Sequence, residues 1–193
     1  MKFRILDQEH KGQEHEGQER TRQERKVAVA ALFTSVFTHS EGEQEGKLIG
    51  DLASVLAERI DNQEIICIVA EADDELIGAI FFTRLKFDED IDVFMLSPVA
   101  VSTTHQGSGV GQALIRHGLR ELGSRAVKVA ITYGDPSYYA KVGFQPLSQE
   151  VIQAPLPLSM PQGWLGQALQ GETIPTLTSR PTCVQEFDNA QYW

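Results

Sequence analysis

A chain of 193 residues is long enough to bury about two thirds of its unfolded surface, so it carries a hydrophobic core. At 41% hydrophobic and 23% charged residues it has the composition of an ordinary globular protein, and a formal net charge of −10 lacks the basic field that nonspecific nucleic-acid binding needs. No apolar run reaches the roughly 18 residues that would span a bilayer, and the opening MKFRILDQEHKGQEH has no stretch resembling a signal peptide. The expectation is a cytoplasmic chain with no nucleic acid and no membrane as partner. Its acidic surface is compatible with a cationic partner such as an amine.

A short strand is predicted near Lys2 to Leu6. Residues 8 to 27 then read QEHKG QEHEG QERTR QERKV, a tandem five-residue unit. A period of five matches neither a helix nor a strand and gives no apolar face, so residues 8–26 read as a low-complexity insertion, loosely helical toward its C-terminal half. Its His10 and His15 lack a recurrent ligand set, and no metal is assigned.

Two helices are predicted next. Val27, Ala30, Ala31, Phe33, Val36 and Phe37 recur at helical spacing, as do Leu48, Leu52, Val55, Leu56 and Ile60. Two β-branched runs, Ile65 to Ala70 and Leu76 to Thr83, flank the acidic turn DDE and predict a hairpin. Cys67 in the first run reads as a buried small hydrophobe, and a disulfide with the distant Cys183 is not expected.

A third run, DVFMLSPVAV, contains Pro98, whose missing donor implies an edge, a bulge or a local splaying. Val110, Leu114, Ile115, Gly118, Leu119 and Leu122 then form one helical face, with Gly123 as its stop. VKVAIT alternates as a strand. In YGDPSYYAKVGF, Asp135 is placed to cap a short helix that Pro136 opens and Gly143 closes. The proline-containing region 146–193 reads as loop, with a short helix at GWLGQALQG and a final strand at CVQEF. Interleaved strands and helices place the chain in the α/β or α+β class with a mixed sheet.

The stretch that bears on function is VAVSTTHQGSGVGQAL, where Gly107, Gly109 and Gly111 stand between a strand and a helix. A glycine-rich turn at a helix N-terminus presents free N–H groups to phosphate. Neither the dinucleotide pattern nor the nucleoside-triphosphate loop fits. What remains is Gln106-x-x-Gly109-x-Gly111, which taken alone also suits a turn that serves packing only.

Gln-x-x-Gly-x-Gly between a strand and a helix, followed about 30 residues later by Tyr-x-Lys-Val-Gly-Phe, resembles the GCN5-related N-acetyltransferase (GNAT) family. The phrase GDPSYYAKVGFQP is similar to a bacterial branch called YhbS-like, and the likeness runs from about Gln23 into the C-terminal region. The resemblance implies a single acetyltransferase-like domain over residues 1–193. Its fold would be a mixed, strongly twisted sheet flanked by helices and splayed between the fourth and fifth strands, with acetyl-CoA as co-substrate.

On that resemblance Gln106, Gly107, Ser108, Gly109, Val110 and Gly111 cradle the pyrophosphate through backbone amides, and main-chain groups of Val99 and Val101 hold the pantetheine arm. Tyr139 is the implied proton donor to the leaving thiolate, while Tyr138, one residue off the motif, packs. Gln106 and Ser108 stand where many members carry Arg or Lys, leaving His105 as the only nearby partial cation, and Thr132 stands near the place of a common Asn. Glu71, Asp90 and Asp92 are all open as bases, and none is chosen. The implied activity is direct acetyl transfer to a small-molecule or peptide amine, and the reading admits a homodimer. The alternative is a non-catalytic acyl-CoA-binding sensor or partner-binding module on the same fold.

Overall fold

The computed structural model describes residues 1–6 and 16–193, with side-chain environments from residue 23 onward after the gap. His10, His15 and residues 8–15 of the pentapeptide insertion lie outside the described residues. Seven strands form one mixed sheet in the order β1-β2-β3-β4-β5-β7-β6: β1 Lys2–Ile5, β2 Ile65–Ala72, β3 Glu75–Leu85, β4 Val93–Val101, β5 Val129–Tyr133, β6 Gln145–Pro146 and β7 Trp164–Ala168. Four α-helices accompany them: α1 Glu16–Glu41, α2 Glu43–Glu58, α3 Val110–Ser124 and α4 Pro136–Tyr139. Among the described residues no helix is long and apolar enough to cross a membrane.

The chain divides into two compact units. The first comprises Met1–Phe81 and Pro98–Leu114, the second Phe82–Ser97 and Ile115–Trp193. In the first, α1 and α2 lie against each other at unusually short range. A Cβ on Gly46 would fall 2.6 Å from the Thr38 backbone nitrogen and 2.8 Å from its Cα, and one on Gly50 would fall 1.9 Å from Thr34 Oγ1. Glycine at both positions lets the two helices approach to a separation that any side chain would forbid. Val29, Phe33 and Val36 of α1 and Leu52 and Leu56 of α2 are buried, and the Phe33 ring meets Phe81 of β3 at 5.7 Å. The predicted faces were slightly misphased: Val27 is 60% and Val55 46% exposed, because the glycine contact fixes the helix rotation.

The β2–β3 hairpin turns through Asp73 and Asp74, both at positive φ, 51° and 62°. That is the backbone a two-residue turn needs to match strand twist, and aspartate tolerates it. β4 sits between β3 and β5, so Pro98 does not mark an edge. Its parallel ladder to β5 runs from Val93–Val129 to Leu96–Thr132, and β4 continues five residues further, to Val101. Burial changes at the same point: Val93 to Leu96 are all buried, whereas Ser97 to Val101 alternate half-buried and buried. Pro98 therefore lies just beyond the last rung to β5, which is the splaying expected between the fourth and fifth strands.

In the second unit α3 ends on Ala126 at φ 63°, with Val127 N–H donating to Leu122 O and Ala126 N–H to Gly123 O. This is a Schellman closure, and the expected stop at Gly123 is displaced because Gly123 is still helical. Asp135 caps α4 as predicted, accepting from Ser137 N–H at 2.8 Å, and Gly143 at φ 101° ends the following turn.

Two elements differ from expectation. Trp164–Ala168, predicted helical within GWLGQALQG, is strand β7, paired antiparallel with β5 from Val129–Ala168 to Tyr133–Trp164. The open edge of β5 offers this short segment a full ladder, more than an isolated helix of its length could gain. CVQEF is not a strand but holds a single 3-10 turn at Gln185–Phe187. The chain before it is tied at Glu89, whose carboxylate accepts from Thr178 N–H at 2.7 Å and Thr178 Oγ1 at 2.8 Å and also from Ser179 Oγ. Those bonds, Ser179 foremost, pull its pKa down to about 2.

Candidate functional site

The glycine stretch forms a short ordered loop. β4 ends at Val101, Ser102 N–H donates to Ile77 O at 2.9 Å, and one 3-10 turn over Thr103–His105 leads to Gln106. Gln106 Nε2 donates back to Val101 O at 3.0 Å, and Ser108 Oγ donates to His105 O. Both polar side chains are thus turned onto carbonyls of the loop itself. The His105 ring is held the same way, with Nδ1 3.0 Å from Thr104 Oγ1.

Gly107 and Gly109 have φ of 74° and 84°, in the left-handed region that L side chains rarely adopt. A Cβ on either would meet nothing within 4 Å. Their glycine identity therefore answers a backbone conformation, and the space in front of them is open. Gly111 differs: it lies inside α3 and is not at positive φ, so the conformational requirement for glycine applies to two of the three.

Helix α3 has 15 residues, and the amides of its first turn have no intrahelical acceptor. Ala113 N–H donates to Gly109 O at 3.0 Å. The loop and helix start thus bring together the exposed residues Gln106 to Gly109, positive-φ turns and the positive end of a helix dipole. That set suits a phosphate-bearing ligand and works without a cationic side chain. Val99 and Val101, half-buried on the outer stretch of β4, belong to the same unit. The Val101 carbonyl is already engaged by Gln106.

Tyr139 lies in the other unit. It is 8% exposed, with its ring edge-on to Tyr138 at 5.2 Å and to Phe144 at 5.7 Å. A Cβ on Gly134 would come 2.8 Å from Tyr139 Cε2, so the glycine before the Asp-Pro cap makes room for the ring. Burial first, and to a lesser extent Tyr138 and Asp135, push the Tyr139 pKa up to about 12 against an opposing hydrogen bond with Thr132. The hydroxyl therefore keeps its proton at neutral pH. Thr132 is fully buried and donates through Oγ1 to Leu96 O at 3.0 Å. The family resemblance singles it out as standing near the place of a common Asn, whereas the strand pattern alone does not.

Among the acids left open as bases, Glu71 pairs with Arg4 Nε at 3.0 Å and Asp92 pairs with Arg84, while Asp90 is exposed. Two of the three thus have a cation already.

Residues 63–146 match the family model of an acetyltransferase (GNAT) domain. The chain is 30% identical over 139 residues to an uncharacterised N-acetyltransferase of Escherichia coli strain K12, YjhQ, covering 69% of this chain and 76% of that protein. The chain belongs to the GNAT acetyltransferase family. With that membership it is an acyltransferase by class. Among solved structures, the fold is similar to that of Escherichia coli YhbS crystallised with CoA, at TM-score 0.66 and 22% identity over 84% of this chain and 88% of that one. A GNAT acetyltransferase from Brucella melitensis in complex with acetyl-CoA aligns at TM-score 0.63 and 20% identity, covering 97% of this chain and 99% of that one.

Proposed function

We propose that this GNAT protein, acting as one domain, transfers an acetyl group from acetyl-CoA to an amine carried by a small molecule or a peptide. The observation that supports the reading most is the loop: two positive-φ glycines with open space before them, at the start of a 15-residue helix, in a member of this family. YhbS and the Brucella protein were crystallised with CoA and acetyl-CoA, which favours the same ligand here.

Residues 106 to 111 would hold the two phosphates through backbone N–H groups, since Gln106 and Ser108 spend their side chains on Val101 O and His105 O. Main-chain groups of Val99 and Val101 would hold the pantetheine arm. When bound, acetyl-CoA supplies an activated thioester that an amine attacks directly. Orientation accounts for much of the rate of such a reaction, and Tyr139 adds a proton donor for the sulfur as the C–S bond breaks.

Tyr139→Phe removes that donor and keeps the packing ring. Turnover should fall by about 10²-fold to 10⁴-fold with acetyl-CoA affinity nearly unchanged, while Tyr138→Phe should change little. A Tyr139→Phe variant of full activity would remove the residue from the reaction. The function itself is tested by offering acetyl-CoA with a panel of lysine peptides, polyamines, aminoglycosides and amino acids, and measuring thiol release beside calorimetric binding. Release with an amine is expected. Binding without release across the panel would support the acyl-CoA sensor, and no binding would overturn both.

A further inference from the structure

Residues 151–171 contain no Asp, Glu, Lys, Arg or His, in a chain that is 23% charged. Burial accounts for part of that run, at Ile152, Ala154, Pro155 and Gly163 to Gly166. It does not account for Pro157 or for Ser159 to Gln162, which are exposed, Met160 to 54%. Exposed positions normally collect charge, so this stretch presents an uncharged, partly apolar surface on an acidic protein.

The stretch is also tied down. Leu177 N–H donates to Val151 O at 2.8 Å, Trp164 Nε1 to Ile152 O at 3.0 Å and Arg180 Nη1 to Ala154 O at 3.2 Å. Further along, the Tyr133 hydroxyl accepts from Met160 N–H at 2.7 Å and lies 3.0 Å from Ser159 Oγ, while its ring stacks on Trp193 at 6.5 Å. Residues 156–160 thus run between the Arg180 tie and the Tyr133 tie, with Pro155 and Pro157 stiffening the backbone. Gly134 N–H donates to Gly163 O at 3.0 Å. A Cβ on Gly134 would come 2.8 Å from Tyr139 Cε2 and 3.8 Å from Cζ, the carbon that bears the hydroxyl. Gly134 is therefore in contact with the end of this stretch and with the Tyr139 ring, and all of these residues belong to one unit.

We propose that the amine is carried on an uncharged, apolar body that lies against residues 156–160, and that Tyr133 is the positioning residue that holds them for it. The inference rests on the transfer reading and the Tyr139 role given above. In that reading the amine nitrogen bonds to the thioester carbonyl carbon as the C–S bond breaks. The Tyr139 proton goes to sulfur, the amine sheds a proton to solvent, and solvent reprotonates Tyr139, so the products are an amide and the free thiol. The nitrogen must come within about 3–3.5 Å of that carbon, which keeps the start of its carrier close to Tyr139. A second charge on the carrier would then face a stretch with no counter-ion. Asp135, the acid nearest Tyr139 in the chain, spends its carboxylate on Ser137 N–H at 2.8 Å and Ser137 Oγ at 2.9 Å. An apolar body gains instead from contact with Met160, whose unbranched thioether adapts to many shapes.

Hexylamine, hexamethylenediamine and aminocaproate share one reactive amine and a similar length, and differ in the charge at the far end. Hexylamine should give the highest kcat/KM, by about 10-fold or more. Tyr133→Phe keeps the ring on Trp193 and should raise the KM for hexylamine about 5-fold, with kcat at saturating amine and the Kd for acetyl-CoA unchanged. Met160→Glu should move the preference toward hexamethylenediamine about 3-fold. A readout apart from turnover is the Met160 methyl resonance of methionine-labelled protein. It should shift when hexylamine is added to the CoA-saturated enzyme and stay in place with hexamethylenediamine.

Faster transfer to either doubly charged compound, or transfer confined to the polyamines and aminoglycosides of the wider panel, overturns the inference and leaves the transfer reading standing. So does a Tyr133→Phe enzyme, shown to fold by its thermal midpoint, whose amine KM is unchanged or whose loss lies in acetyl-CoA binding. If no amine of any kind is acetylated, the transfer reading falls and takes this inference with it.

Discussion

Gly46 and Gly50 on α2 and Gly107 and Gly109 before α3 are the same residue used for opposite reasons. At the first pair an added Cβ would strike α1, reaching backbone at Gly46. At the second pair it would meet nothing, and the constraint is a φ of 74° or 84°. The first pair is explained completely by the folded protein, since the neighbours that forbid a side chain are Thr38 and Thr34 of α1. At the second pair conformation accounts for glycine, and the open space in front of it leaves room for the phosphate-bearing ligand proposed above.

The largest effect expected from breaking this comparison is at Gly46. Helix propensity alone would favour alanine there by about 1 kcal/mol. Contacts of 2.6 and 2.8 Å with Thr38 backbone atoms instead force α1 and α2 apart, and the net change should be a loss of about 1–3 kcal/mol. Gly50→Ala should cost less, because the nearest backbone atom there is Thr34 Cα at 3.2 Å, although Thr34 Oγ1 at 1.9 Å is held by its bond to Ala30 O at 3.0 Å. Chemical denaturation of both variants checks the order. A stabilised Gly46→Ala would show that the helices give way freely.

Gly109→Ala should behave the other way round. Its stability cost is confined to the positive φ, about 1 kcal/mol, but CoA affinity should fall 10-fold or more. The control is Gly42→Ala. Gly42 also has a positive φ, 99°, and open surroundings, but it lies at the start of α2 and takes no part in the proposed site. Gly42 has a ψ of 171°, a region almost confined to glycine, so melting should find a stability loss at Gly42 at least as large as at Gly109, while calorimetry finds CoA affinity lowered only at Gly109. Equal affinities would mean that the loop at Gly109 is a turn and nothing more.

How far the sequence reached can be read from the same contrast. Local chemistry was legible where a residue settles its own backbone: the Asp73–Asp74 turn, the Asp135–Pro136 helix start, and positive φ at Gly107, Gly109 and Gly143. It was not legible where the deciding partner is far along the chain. Trp164–Ala168 became a strand because β5, some 35 residues earlier, had an edge to fill; its five residues carry too few side chains to fix a period. The spacing Gly46-x-x-x-Gly50 did carry a close-packing signal, but only the facing threonines of α1 give it meaning. At the site the loop was readable as a motif, whereas Thr132 was singled out only by the resemblance, since a threonine in an alternating strand is an ordinary β-former.

The smallest expected effect sharpens the cost assigned to positive φ. Ala126 closes α3 at φ 63° with the two Schellman bonds formed, in a position that helices usually give to glycine. Its side chain is exposed, so Ala126→Gly loses no packing. Relief of the left-handed strain is worth about 1–2 kcal/mol, against about 0.4–1 kcal/mol lost to the greater freedom of glycine in the unfolded chain. The balance is a gain of about 0.5–1 kcal/mol, or about 2 °C in the thermal midpoint for a chain of this size. Scanning calorimetry can resolve that shift. A midpoint that stays or falls would mean alanine bears a left-handed conformation cheaply here, and the strain argument for glycine at 107 and 109 would lose its support.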